Sequence, residues 1–232
     1  MKQTKKIKVI GAGGIGSHLV EPLARYLSYV EYYWEVTIVD GDSFEERNRE
    51  RQRFSKAGIN KAASMVLSLR EQFPKVHFRA KEEYVTERNV VSIIREKDIV
   101  FMGVDNHATR KLVSDRCCEL EEVLLISGGN SYTDGDVLIH WRQNNCNMTP
   151  PITQTAPDIN VPKDKNPGEF TEADRQGCQA QALTNPQLIF TNLDIACCML
   201  NCYYAYEQEK LTCKRVFSDI LTQARRAVPK GV

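Results

Sequence analysis

Residues 6–20, KIKVIGAGGIGSHLV, pass from a short apolar run through four glycines, Gly11, Gly13, Gly14 and Gly16, and resume in a helix-like pattern. A strand, a tight glycine turn and the first turn of a helix make a cradle for phosphate, because the exposed N–H groups and the helix dipole both favour negative charge there. The turn alone does not separate a dinucleotide that is held from a nucleotide that is broken. Outward from it the same rhythm continues. WEVTIVD (34–40) reads as a second strand and is followed by a helix opening near Asn60 and running to Phe73. Then come a strand at VHFRA (76–80), a helix near 86–96, the apolar run DIVFMGV (98–104), a helix from Ala108 to Leu120 and the strand EVLLISGG (122–129). Strands alternating with helices predict a parallel sheet. The turn residues TDGD (133–136) leave no room for a crossover helix, so DGDVLIHW (134–141) is expected to run antiparallel to its predecessor. The expected fold class is α/β: a Rossmann-like mixed sheet with parallel N-terminal strands, antiparallel C-terminal strands and helices on both faces.

A chain of 232 residues, 42% of them hydrophobic, can bury one sizeable core, so a single domain over 1–232 is expected. Lys and Arg number 31 against 30 acids, a balance without the one-signed field that nucleic acid or an anionic membrane surface would demand. No run of apolar residues is long enough for a membrane span, and MKQTKKIKVI leads directly into a strand without a signal-peptide core. A soluble, cytoplasmic protein is expected. Eight cysteines, two pairs of them adjacent, lack the spacing of a disulfide framework and read as reduced thiols. Residues 142–185, rich in Asn, Pro, Thr and charge, show no sustained period and read as one long crossing loop, a candidate lid over a site. The segment 186–208 that follows is helix-like and apolar around most of its circumference, with Leu188, Phe190, Leu193, Ile195, Met199 and Tyr203 on more than one stripe. One sheet face cannot cover all of it, which points to a homodimer.

The chemistry-bearing residues cluster after strand ends. Asp40 closes the second strand, where a carboxylate suits the ribose hydroxyls of either NAD or ATP. Asp42, Asn48, Arg51 and Gln52 follow within a dozen residues, and Lys61 opens the next helix. Nicotinamide chemistry has no use for so many cations, whereas nucleotidyl transfer does, since charge moving onto pyrophosphate needs fixed positive partners. Asp105 and Asn106 stand just beyond an apolar strand, at the carboxyl edge where open α/β sheets bind ligands, and Asp105 suits either a Mg²⁺ ion or a helix cap. His18, His77, His107 and His140 show no ligand spacing. Three readings remain open: nucleotidyl transfer, an NAD-dependent oxidoreductase, and a non-catalytic nucleotide-binding scaffold.

The glycine turn with Ser17, the block Asp40, Asp42, Asn48, Arg51 and Gln52, the GxxK of Gly58 and Lys61, and Asp105 and Asn106 with Arg110 following resemble, in order and spacing, the ThiF/MoeB type of the ubiquitin-activating-enzyme-like superfamily. The matched blocks cover roughly residues 7 to 140. The resemblance implies ATP-dependent adenylation of the C-terminal glycine carboxylate of a small ubiquitin-like or sulfur-carrier protein ending in Gly-Gly, with release of pyrophosphate. It implies that Gly11, Gly13, Gly14 and Gly16 let the backbone approach the nucleotide and that Asp40 holds the ribose. Asn48, Arg51 and Gln52 would contact the triphosphate, Asp42 and Asn106 would complete the nucleotide contacts, Lys61 would neutralise the α-phosphate, and Asp105 would hold Mg²⁺. Arg51 and Lys61 are expected to be partly exposed at the site. In the ThiF branch a cysteine ahead of the last helix forms a covalent link with the activated protein, which would assign that part to Cys178. Many relatives carry a zinc held by two C-x-x-C pairs; this sequence has no C-x-x-C, so no structural zinc of that kind is expected.

Overall fold

The computed structural model describes residues 4–46, 49, 52, 57–169 and 188–231. Among the described residues nine strands form one sheet: β1 (Thr4–Ile10), β2 (Tyr33–Val39), β3 (Val76–Lys81), β4 (Ile99–Met102), β5 (Val123–Asn130), β6 (Asp134–Gln143), β7 (Cys146–Asn147), β8 (Cys213–Asp219) and β9 (Ala224–Pro229). Their order is β3-β2-β1-β4-β5-β6-β8-β9, with β7 paired to β6. The strands from β3 to β5 are parallel, and the pairings β5–β6, β6–β8 and β8–β9 are antiparallel. The mixed α/β sheet expected from the sequence is the one observed. Connections reverse direction between β1 and β4, which makes their carboxyl ends the crevice where a doubly wound sheet accepts a ligand.

Alternation along each strand sends side chains to two cores. Ile7 and Val9 of β1 join Leu19, Leu23 and Leu27 of α1 (Gly14–Leu27), Val66 and Leu69 of α2 (Lys61–Gln72) and Ile195, Met199 and Tyr203 of the long C-terminal helix. Ile10, Val100, Met102, Leu125 and Leu138 pack on the other face beneath α3 (Val90–Ile93), α4 (His107–Cys118), α5 (Ile152–Thr155) and α6 (Pro157–Asn160). The C-terminal helix, α7, spans Ile189–Glu207.

Three departures from the sequence reading have physical causes. The helix expected near 86–96 is the single turn α3, since Asn89 turns back to accept from Thr86 N and donate to Tyr84 O, and β4 begins soon after. In place of one uninterrupted loop from 142, the chain carries β7, α5 and α6, because Ile152 and Ile159 are spaced to drop one side chain per short helix into the second core. Beyond 208 the sheet goes on as the β8–β9 hairpin, whose Val216 enters the first core while β9 is exposed along nearly its whole length.

Candidate functional site at the carboxyl edge of the sheet

The site begins where β1 ends. Gly11 turns the chain at φ +88°, and its N–H donates to Val39 O at 2.9 Å. A Cβ on Gly16 would collide with the Gly11 carbonyl oxygen, so the helix can start this close to the strand only with glycine there. Gly13 is the residue before α1 and offers no side-chain cap, and Gly14 opens the helix. The positive end of α1 thus faces the crevice without an acid of its own.

Asp40 is tied into that turn. Its Oδ2 accepts from Ala12 N at 2.6 Å and its Oδ1 from Asp42 N at 2.8 Å. Burial pushes its carboxyl up to about 6, against the pull of Lys61 and the two backbone bonds. Asp42 stands on the next turn, and its Oδ2 pairs with Lys61 Nζ at 3.1 Å. Lys61 N donates to Asp42 O, and Asn60 caps α2 by accepting from Ala63 N, which together fix the start of that helix against the end of β2. Lys61 is only 5% exposed, which corrects the expectation of a partly exposed lysine. Its four-carbon stem lies in the protein and delivers a single ammonium to the edge. Gln52 is also buried, with its Nε2 3.7 Å from where a Gly13 Cβ would sit and its Oε1 without a hydrogen-bond partner.

On the β4 side, Asn106 caps α4 by accepting from Thr109 N at 2.8 Å. The cap is therefore the Asn106 side chain, and Asp105, one residue earlier, is left exposed at the edge. Arg110 of the same block is buried and acts as a strap: it donates to Val104 O at 2.8 and 3.0 Å and to Gly128 O at 2.8 Å, joining the ends of β4 and β5. Burial lowers its pKa, and the field of Asp136, Asp105 and Asp164 opposes the shift.

The first two N–H groups of α4 are claimed from far along the chain. Asp164 accepts from His107 N at 2.8 Å and from Ala108 N at 2.9 Å. Two residues on, Asn166 is buried and donates to Val85 O at 2.8 Å. The crossing segment is thereby pinned beside Asp105 at one point and beside the β3–α3 turn at the other. Sequence reading missed Asp164, Asn166 and Tyr84, whose partners lie 57, 81 and 42 residues away.

The structure thus brings Gly11, Gly13, Gly14, Gly16, Asp40, Asp42, Gln52, Lys61, Asp105 and Asn106 to the carboxyl ends of β1, β2 and β4 or to the turns that follow them. Asn48, Arg51 and Cys178 lie outside the described residues. A triphosphate fits what is present: an uncapped helix start and glycines whose Cβ atoms would fill the turn. Asp105 suits Mg²⁺, which is held by one or two carboxylates together with substrate phosphates. Among the described residues no three His, Cys, Asp or Glu side chains gather into a cluster that could hold a metal ion.

A doubly wound α/β protein with a glycine turn at its switch point is the class that this fold and edge define. Residues 2–223 match the ThiF family, and the chain belongs to it. It is 32% identical over 136 residues to the adenylyltransferase and sulfurtransferase uba4 of Pyricularia oryzae, covering 57% of this chain and 26% of that protein. To the adenylyltransferase and sulfurtransferase MOCS3 of Dictyostelium discoideum it is 34% identical over 141 residues, covering 60% and 32%. The chain spans about a quarter to a third of the length of these relatives. Its fold is that of Escherichia coli MccB with bound MccA-N7isoASN, at a TM-score of 0.73 and 16% identity over 98% of this chain and 64% of that one. MccB with ATP superposes at a TM-score of 0.67, with 16% identity over 98% and 63% of the two chains.

Proposed function

We propose that the protein is an ATP-dependent adenylyltransferase acting in the cytoplasm on the C-terminal glycine carboxylate of a small ubiquitin-like or sulfur-carrier protein ending in Gly-Gly. The observation that carries the reading is the convergence of an open helix start, the carboxylate of Asp40 and the ammonium of Lys61 on one edge of the sheet. The names of the relatives that share the family point the same way.

In this reading Asp40 accepts from the ribose hydroxyls, and the glycine turn with Gln52 and Asn106 lines the nucleotide. Arg51 and Asn48 bind the triphosphate. Mg²⁺, held by Asp105 and the phosphates, would supply charge neutralisation. An oxygen of the glycine carboxylate attacks the α-phosphorus, the bond from that phosphorus to the bridging oxygen breaks, and pyrophosphate leaves with the electron pair. Lys61 stabilises the charge that builds on the α-phosphoryl oxygens. No general base is required, because the nucleophile is already ionised; the protein contributes alignment and fixed charge.

A homodimer belongs to the same proposal. On α7, Phe190 is 64%, Leu193 43% and Tyr204 54% exposed, an apolar stripe on the side facing away from the sheet. A two-fold partner would remove it from water. The covalent part assigned to Cys178 stays within the proposal, as does the use of the crossing segment as a lid. The test is calorimetry with MgATP and with NAD. Binding of MgATP and not of NAD supports the reading, and tight NAD binding without ATP binding would end it.

A further inference from the structure

Lys61 and Asp42 form a pair of unequal partners. The lysine side chain is 6% exposed, its stem fixed by the protein, while the Asp42 side chain is 50% exposed and, left to itself, would swing in solvent. What holds it is Tyr84. The Tyr84 hydroxyl donates to Asp42 Oδ1, so that Oδ2 is the oxygen presented to Lys61 Nζ. The tyrosine is itself wedged in place. Its ring lies on the backbone of Gly41, where a Cβ would stand 2.6 to 2.7 Å from three ring carbons, and a Gly168 Cβ would stand 3.2 Å from the Tyr84 Cβ. The turn that carries it is held by Asn89, which donates to Tyr84 O, and by Asn166 of the crossing segment, which donates to the next carbonyl, Val85 O.

On the reading above, Lys61 is the cation that meets the α-phosphate. We propose that Tyr84 is its positioning residue, acting through Asp42, and that residues 166–168 of the crossing segment set Tyr84. An ammonium has three donors, so one bond to Asp42 leaves two for phosphate oxygens, in directions fixed by the first. Without the Tyr84 hydroxyl, Asp42 can rotate or take Lys61 with both oxygens, and either change turns donors away from the nucleotide. The packing of residues 166–168 on Tyr84 gives the crossing segment a physical route to the phosphate site, three side chains long.

The inference rests on the nucleotide reading, and its test separates the two. Tyr84→Phe keeps the ring on Gly41 and removes the hydroxyl alone; Asp42→Asn weakens the next link on a half-exposed side chain. MgATP and adenosine affinities are measured by calorimetry for the unmodified protein, both variants and the double variant. Each single variant is expected to bind MgATP roughly tenfold more weakly, the size of one hydrogen bond to a charged group. Adenosine, which lacks phosphate, should bind Tyr84→Phe within a factor of two of the unmodified protein. The double variant should lose no more MgATP affinity than either single one, since the links act in series. Unchanged MgATP binding by Tyr84→Phe, equal losses for MgATP and adenosine in that variant, or additive losses in the double variant would each overturn the role of Tyr84. Failure of the unmodified protein to bind MgATP would instead overturn the nucleotide reading itself.

Discussion

Replacing Asp40 with asparagine separates the two roles that one carboxylate combines. In the free protein its oxygens accept from Ala12 N at 2.6 Å and from Asp42 N at 2.8 Å, and an asparagine can keep only one of these, turning an N–H toward the other donor. Hydrogen bonds to a charged group contribute about 1.5–3 kcal/mol each, so that loss is of this order. Against it stands the cost of keeping a charge in a half-buried turn. The rise of the Asp40 carboxyl from 3.8 to about 6 amounts to roughly 3 kcal/mol working against the ionised form. That rise is already net of the two backbone bonds and of Lys61, so the charge as a whole does not stabilise the turn. Asp40→Asn is therefore expected to unfold in urea at pH 7 no more than about 1 kcal/mol below the unmodified protein. Adenosine binding should nonetheless fall roughly a hundredfold, since two ribose hydroxyls lose a charged acceptor worth about 1.4 kcal/mol or more each. A loss of more than about 3 kcal/mol of stability would show that the carboxylate is chiefly structural. Undiminished adenosine affinity would remove it from the ribose.

The same carboxyl sets a pH dependence: with its folded value raised to about 6, Asp40 is ionised above that pH, so adenosine affinity should hold at pH 7–8 and decline as the pH falls below about 6, in a calorimetric series that Asp40→Asn flattens. Gly16→Ala places a methyl group against the Gly11 carbonyl oxygen and should destabilise by roughly 1–3 kcal/mol in urea unfolding, whereas no loss would mean that the turn yields freely. Arg110→Met strands the Val104 and Gly128 carbonyls, for an expected loss of about 2–4 kcal/mol; a neutral result would deny the strap. Leu193→Asp together with Tyr204→Asp should convert a dimer to a monomer in sedimentation at micromolar concentration, and a monomer before substitution would refute the interface.

The architecture was legible because its signals are local. The apolar runs at 6–10, 34–39 and 99–102 and the glycines at 11–16 are each decided within a few residues, and so is the TDGD turn that reverses β6. Residues near the strand ends could likewise be named from spacing, since a strand end fixes which turn reaches the crevice. Long-range partners were not legible. Nothing in the stretch VPKDKNPGE (161–169) announces that Asp164 will sit on the start of α4 or that Asn166 will be buried against Val85. The burial of Lys61 was misjudged for the same reason: charge alone argues for solvent, and only the fold supplies Asp42 and lets the stem lie within the protein. The β8–β9 hairpin escaped a firm placement because five Lys or Arg residues in its two strands, 213–219 and 224–229, together with the residue that follows them, dilute the alternation.

The central claim is that a carboxylate attacks the α-phosphorus of ATP and expels pyrophosphate, and that reaction can be run backwards. Purified protein is incubated with MgATP, labelled pyrophosphate and a small sulfur-carrier-type protein ending in Gly-Gly. Label should enter ATP only when the carrier is present, and exchange should vanish when the carrier's final glycine is removed or Lys61 is replaced by alanine. A protein that binds MgATP and the carrier, yet moves no label between pyrophosphate and ATP, would contradict the account.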